Sequence, residues 1–216
     1  MRLFRALSGV AMFVVPFATQ AQKSGGTGAV GFGVIGGGTF PVGDYDKVAK
    51  TGFHAGGFVD FGRRVGPFGI RADVLYHGFG DRNLVTSGSN STAVTISNKY
   101  SMVTGTLNAV LGIPLQGSPV RPYVTGGVGA YYLKNSPKCA VSCNSLLTYG
   151  QESSTKLGFN GGGGIEFGMG GTGIFIESRF HHVINGTPKF SCFGQSGCNR
   201  AALQIVPVSV GVRIQM

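Results

Sequence analysis

The 216-residue chain has no tryptophan, and its eight acidic residues face 18 lysines and arginines. Charged residues make up only 12% of the sequence, while 42% are hydrophobic. That balance excludes a disordered chain, which is poor in apolar groups and rich in charge. Beyond the first 21 residues no run reaches the 18 or so apolar residues that a membrane-crossing helix needs. Long glycine-free stretches are also missing: 39 glycines are scattered so densely that few windows of ten residues avoid one. Each costs about 1 kcal/mol inside a helix, so helices are disfavoured. The glycines have no period of three, which excludes a collagen helix. No dense basic run with interleaved aromatics is present, so nucleic-acid binding is not supported. An all-β protein is what remains.

The N-terminus reads as a secretory signal peptide over residues 1–21. MRLFR is its basic region, ALSGVAMFVVPFA its apolar region, and Thr19-Gln20-Ala21 its small-residue cleavage site. A buried helix or a retained anchor is the competing reading. Residues 22–216 would then form the exported domain. Four cysteines, Cys139, Cys143, Cys192 and Cys198, are an even set in an exported chain and suggest two disulfides. Their spacings also suit metal, but no second ligand cluster accompanies either couple. Pairing within each couple is the simplest connectivity, and cross-pairing stays open. No cofactor is expected.

Eight segments alternate apolar and polar residues with the period of a strand. They run over about 29–40, 52–62, 67–78, 99–113, 121–133, 157–169, 173–183 and 203–216. Short connections (GRRVGP, LQGSPV, GGTG) alternate with long ones over 41–51, 79–98, 134–156 and 184–202. Short turns at one end and long loops at the other are the pattern of an up-and-down membrane barrel. All four cysteines fall in the last two of these expected loops, as do Lys134, Lys138, Lys156, Lys189 and Arg200.

The last segment shows the two faces clearly. Val206, Val208, Val210, Val212, Ile214 and Met216 share one parity; Ser209, Arg213 and Gln215 share the other. Across all segments the polar parity collects Asp60, Arg71, Asp73, Glu166, Glu177, Arg179 and Arg213. A soluble sandwich or lipocalin-like barrel would turn these charges to water; a membrane barrel would turn them into its lumen. Three features favour the lumen. The apolar faces hold glycines such as Gly36, Gly38, Gly161 and Gly163, which cannot fill a core to native density. The strand charges are Asp, Glu and Arg rather than Lys, and packed ion pairs favour the forked guanidinium. Closing the ring also removes the sheet edges that lipid forbids. The expected fold is an eight-stranded antiparallel up-and-down transmembrane β-barrel, its lumen filled by an ion-pair network of the seven charged residues. Eight strands leave room only for side chains or one small ligand.

PYVTGGVGAYYLK (122–134), GFNGGGGIEFGMGGTGIFIESRFHHV (158–183) and GGGTFPVGDYDKVAKTGFHAGG (36–57) resemble the OmpA/OmpX-like eight-stranded outer-membrane β-barrel family. They match its glycine-rich "outer membrane protein beta-barrel domain" form. The resemblance spans the exported chain. It implies residence in a bacterial outer membrane, assembly by the outer-membrane machinery, and outer-membrane lipid and lipopolysaccharide as neighbours. It is weak for function, since such barrels include anchors, adhesins, host-interaction proteins and a few lipid-modifying enzymes. Strands of the family often end on an aromatic residue, whereas this chain ends on Met216.

The chemistry of single residues adds little. His54, His77 and His181 share the polar parity with Asp60, Asp73, Glu177 and Ser209, but no compact His-x-Ser arrangement is evident. Nothing supplies a nucleophile, base and orienting group together, so an enzyme is not expected. His181-His182 as a metal pair and GFGVIG (31–36) as a dinucleotide fingerprint both lack supporting context. Two sequons, at Asn90 and Asn185, mean little in a bacterial cell. The expected role is structural or surface-interacting, with a secreted small-ligand binder or a lipid A-modifying barrel as alternatives.

Overall fold

A computed structural model describes residues 30–47, 49–62, 67–80, 82–87, 93–113, 115, 117–141, 152–169, 171–184 and 203–215. The expected signal peptide, Cys143, Cys192, Cys198, Lys189 and Arg200 lie outside them. The elements are β1 (Val30–Val42), a short 3-10 helix (Gly43–Lys47), β2 (Lys50–Phe61), β3 (Phe68–Gly80) and β4 (Arg82–Ser87). They continue with β5 (Ala93–Gly112), β6 (Val120–Val141), β7 (Glu152–Met169), β8 (Thr172–Val183) and β9 (Leu203–Gln215).

Every neighbouring pair is antiparallel, and β1 pairs with β9 to shut the ring. β3 and β4 follow one another along the same partner, β5, so nine segments make eight staves. The fold is a closed eight-stranded antiparallel up-and-down β-barrel. Lipid offers no hydrogen-bond partners for backbone amides, and closure satisfies them all within the sheet.

The turns at one end are short. Gly62 and Gly117 adopt positive φ there (84° and 73°), a conformation open to glycine at little steric cost. Gly112 N–H donates to the Pro67 carbonyl at 2.7 Å, and Gly168 N–H donates to that of Pro119 at 2.9 Å, tying adjacent turns together. At the other end two expected loops turn out to be largely strand. Most of 79–98 belongs to β3, β4 and β5, and 134–156 is mostly the ends of β6 and β7. Consequently Lys134 and Lys138 lie on β6 and Lys156 on β7, not in loops; Lys50 and Lys99 are strand residues as well. Cys139 also sits on β6, its backbone opposite Ile96.

The physical reason is plain. Alternation marks a strand only while its faces meet different media; past the membrane both faces meet water and the pattern fades.

The two faces divide as the parity rule requires. Outward, the ring carries Val34, Phe53, Phe68, Ile70, Val74, Leu107, Val128, Leu157, Ile176 and Val210, all exposed. The band on β5 and its turn, from Val103 to Ile113, rises about 25 Å at the usual strand rise and barrel tilt. Aromatic residues edge it: Phe61, Phe68 and Phe167 towards the short turns, and Phe40, Phe53, Tyr76, Tyr132 and Phe180 towards the other end. Such girdles mark the two interfaces of a membrane barrel. The soluble alternative, with the apolar row inside, is thereby overturned.

Candidate functional site in the barrel interior

The interior is layered, because each strand sends alternate residues inward and the register sets them at common heights. At the short-turn end lie Asp60 on β2, Glu166 on β7 and Arg213 on β9, all buried. Arg213 Nη2 donates to Glu166 Oε1, and its Nη1 stands 3.7 Å from Asp60 Oδ2. Gly173 lies beside Glu166: a Cβ there would come within 2.6 Å of Oε1. Any larger residue would displace the carboxylate. A cavity of about 280 Å³ opens here, lined by Ser118, Arg121, Glu166, Thr172, Arg213 and Gln215.

The next tier is a four-charge cluster. Arg71 Nη2 donates to both Glu177 oxygens at 2.8 Å, and its Nε lies 3.0 Å from Asp73 Oδ1. Arg179 donates through Nη2 to Asp73 Oδ1 at 3.0 Å and through Nε to Glu177 Oε1. Asn108 Nδ2 donates to Asp73 at 2.7 Å, and the Tyr123 hydroxyl donates to Glu177 at 2.8 Å. Two cations and two anions thus neutralise one another while buried. The Arg71 guanidinium also lies over two rings that meet each other edge-on, 5.1 Å from the Phe58 centroid and 5.7 Å from that of Phe175. Such stacking suits its flat, weakly hydrated group. Ile35, Leu75 and Val110 complete the apolar surround.

Above the charges lie three buried histidines, His54, His77 and His181. The Thr39 hydroxyl bridges His54 Nδ1 and His77 Nδ1, each at 3.0 Å. His54 Nε2 is 2.8 Å from Ser209 Oγ, and Tyr131 OH is 2.9 Å from His181 Nδ1. A fourth tier closes the long-loop end. Tyr45 from the 3-10 helix turns inward and is wholly buried with Ala49, Phe79, Tyr100, Met102, Leu203 and Ile205. Its ring meets Phe79 edge-on at 5.6 Å. Burial, with Tyr100 alongside, pushes the Tyr45 phenol well above its ordinary pKa.

All seven sequence-predicted charges are buried inside the barrel. Ion pairs link Arg213 to Glu166 and Asp60 near the short turns and join Arg71, Asp73, Glu177 and Arg179 in the middle, and Asp60 lies directly opposite Arg71 across the β2–β3 pair. The proposed His181–His182 metal pair is split between faces: His181 is buried, while His182 stacks on outward Phe159 at 5.0 Å. Among the described residues no group of His, Cys, Asp and Glu is placed to hold a metal ion. The Ser209–His54 contact was invisible in the sequence because 155 positions separate the two. Its histidine is oriented by Thr39, not by a carboxylate. The Tyr45 cap was missed too, since a lone tyrosine in a polar loop carries no periodic signal.

Comparison with known proteins agrees with this geometry. The family model described as "outer membrane protein beta-barrel domain" matches residues 6–193. The chain belongs to that family. Its barrel resembles a major outer membrane protein from Thermus thermophilus, at 14% identity and a TM-score of 0.62, over 88% of this chain and 100% of that one. It also resembles Neisserial surface protein A, at 12% identity and a TM-score of 0.56, over 88% and 98% of the respective chains. At these identities the likeness shows the fold alone. Among curated proteins, none matches in sequence. The family is one of outer-membrane β-barrel domains, and the Thermus neighbour is a major outer membrane protein.

Proposed function

We propose that this barrel is an integral outer-membrane protein with a structural or surface-interaction role, a plugged polar lumen and no enzymatic activity. The observation that carries the reading is the filled cross-section. Guanidinium and carboxylate groups lock the middle of the lumen, and Tyr45 with its apolar neighbours caps one end. An eight-stranded ring has little space beyond its own side chains, so permeation is not its task. Export by the N-terminal signal peptide would bring the chain to the assembly machinery, with the long-loop end facing outward. Disulfides among Cys139, Cys143, Cys192 and Cys198 would pin that outer end. Ser209 is paired with His54, and among the described residues both are buried beneath the Tyr45 tier, which argues against a lipid substrate reaching them.

The test is a gel of detergent-solubilised envelopes with and without boiling, joined to conductance in planar bilayers. A heat-dependent mobility shift in the outer-membrane fraction with no resolvable channel is expected. A soluble protein without a shift, or an open channel of porin size, would refute the reading. A changed lipid A mass in overexpressing cells, lost in Ser209→Ala, would refute the non-enzymatic part.

A further inference from the structure

The cavity at the short-turn end gathers groups that the tiers above leave unused. It measures about 280 Å³, and Arg213, Glu166, Gln215, Arg121 and Ser118 all line it. Arg213 is only 5% exposed. Its Nη2 donates to Glu166 and its Nη1 stands 3.7 Å from Asp60, yet neither Nε nor Nη1 makes a hydrogen bond among the described residues. Gln215, two places on and of the same inward parity, holds a buried Nε2 that likewise has no partner there. Arg121 lies opposite Glu166 in the β6–β7 register and is exposed. It makes no ion pair among the described residues, the Glu166 carboxylate being held by Arg213. Ser118 Oγ accepts from the Val120 N–H at 3.1 Å and keeps its own proton to donate. Every unspent group named here is a donor. Two guanidinium groups line the cavity against one carboxylate, since Asp60 is not part of the lining.

We infer that this cavity binds a carboxylate, that of a small organic acid or of a peptide chain end. Buried donors without acceptors are rare and costly. A carboxylate supplies what these donors lack, two oxygens that accept and do not donate. A guanidinium meets those oxygens with paired N–H groups. Arg121 supplies that fork, and Arg213 and Gln215 supply the buried donors. Charge narrows the ligand further. The lining has one positive charge in excess, which one carboxylate neutralises. A phosphate, at nearly two negative charges, would leave an excess beside Glu166. Water satisfies single donors but brings no charge. Size sets the last limit: pockets for drug-sized molecules run to about 300–1,000 Å³, and this one is smaller, so the ligand is a carboxylate with a short body. On the membrane reading above, the short turns face the inner side of the outer membrane and the ligand comes from there. Binding itself does not need that reading.

The experiment titrates the full, isotope-labelled barrel in uncharged detergent micelles and follows the Arg213 Nε–H and Gln215 side-chain amide signals by NMR. The probes are acetate, N-acetylalanine, N-acetylalanine amide and inorganic phosphate. Acetate and N-acetylalanine should move both signals and saturate, and the amide should not. Equal affinity for the two acids identifies a free small acid as the ligand; tighter binding of N-acetylalanine identifies a peptide end. Arg121→Gln removes one charge-assisted contact and should weaken binding about tenfold. Arg121→Lys keeps the charge but loses the fork and should fall between that variant and wild type. Gln215→Leu removes one neutral donor and should weaken binding about threefold. Lys50→Gln removes an exposed cation at the opposite end of the barrel and should change nothing. No saturable movement with either acid would overturn the inference. So would equal binding of the amide, phosphate bound as tightly as the acids, wild-type affinity in Arg121→Gln, or an equal loss in Lys50→Gln. The heat-mobility shift is read on every variant. If Arg121→Gln loses it, Gln215→Leu carries the test with the same reading. A soluble wild type without the shift defeats the membrane reading and leaves the titration to decide this inference alone.

Discussion

The middle and the long-loop end of the lumen are equally buried but held together by different physics. In the middle, Arg71, Asp73, Glu177 and Arg179 satisfy one another through directional, charge-assisted bonds. At the long-loop end Tyr45, Phe79, Met102, Leu203 and Ile205 pack without any charge. The charged tier depends on completeness: each ion has lost its water and relies on its partners. The apolar tier depends on volume, and a small defect there is only a small cavity. The same barrel thus holds one tier that fails abruptly and one that degrades by degrees.

Substitutions can set these tiers against each other. The largest effect should come from Glu177→Leu, which leaves Arg71 and Arg179 facing only Asp73 and removes the acceptor for Tyr123. Stranding buried charge this way costs about 3–5 kcal/mol, read as a lower urea midpoint for loss of the heat-mobility shift in detergent. Glu177→Gln or Arg179→Met should also lower the midpoint, and if both were silent the charged tier would contribute nothing to stability. Tyr45→Ala comes next, at about 3 kcal/mol for an aromatic side chain removed from a packed site. Its signature should be local, with faster hydrogen exchange near Ala49 and Leu203 and little change at Arg71. Ser209→Ala, which removes one neutral partner of His54, should cost about 1 kcal/mol. The smallest change is Tyr45→Phe. The Tyr45 hydroxyl is buried with no hydrogen-bond partner among the described residues, so its removal should be neutral or slightly stabilising. A loss above about 1 kcal/mol would reveal a partner for that hydroxyl.

Much of this arrangement was legible in the sequence, but unevenly. Period-2 patterning placed Asp60, Arg71, Asp73, Glu166, Glu177, Arg179 and Arg213 on one parity, and alternating connection lengths gave the up-and-down topology. Parity says which face a residue takes, not its height, so it could not divide the seven charges between two tiers. Height is a matter of register, which sets His54 opposite His77 and brings the two charged tiers side by side where Asp60 lies opposite Arg71. The sequence over β4 and the outer ends of β5 to β7 has the look of loops because polar residues on both faces leave no alternation. Tyr45 and Ser209 depend on contacts that span the barrel, which no local window contains.

The seam between β1 and β9 carries a consequence for how the molecule comes into being. Gly31 faces Gln215 and Val42 faces Gln204, so the first strand waits for the last before its second edge is covered. Until that moment the growing sheet presents open edges and an oily outer surface to water, the condition most prone to aggregation. Contacts between such distant positions also form slowly. Closure is therefore a single late event, and a chain lacking β9 would lose the whole ring rather than one stave of it.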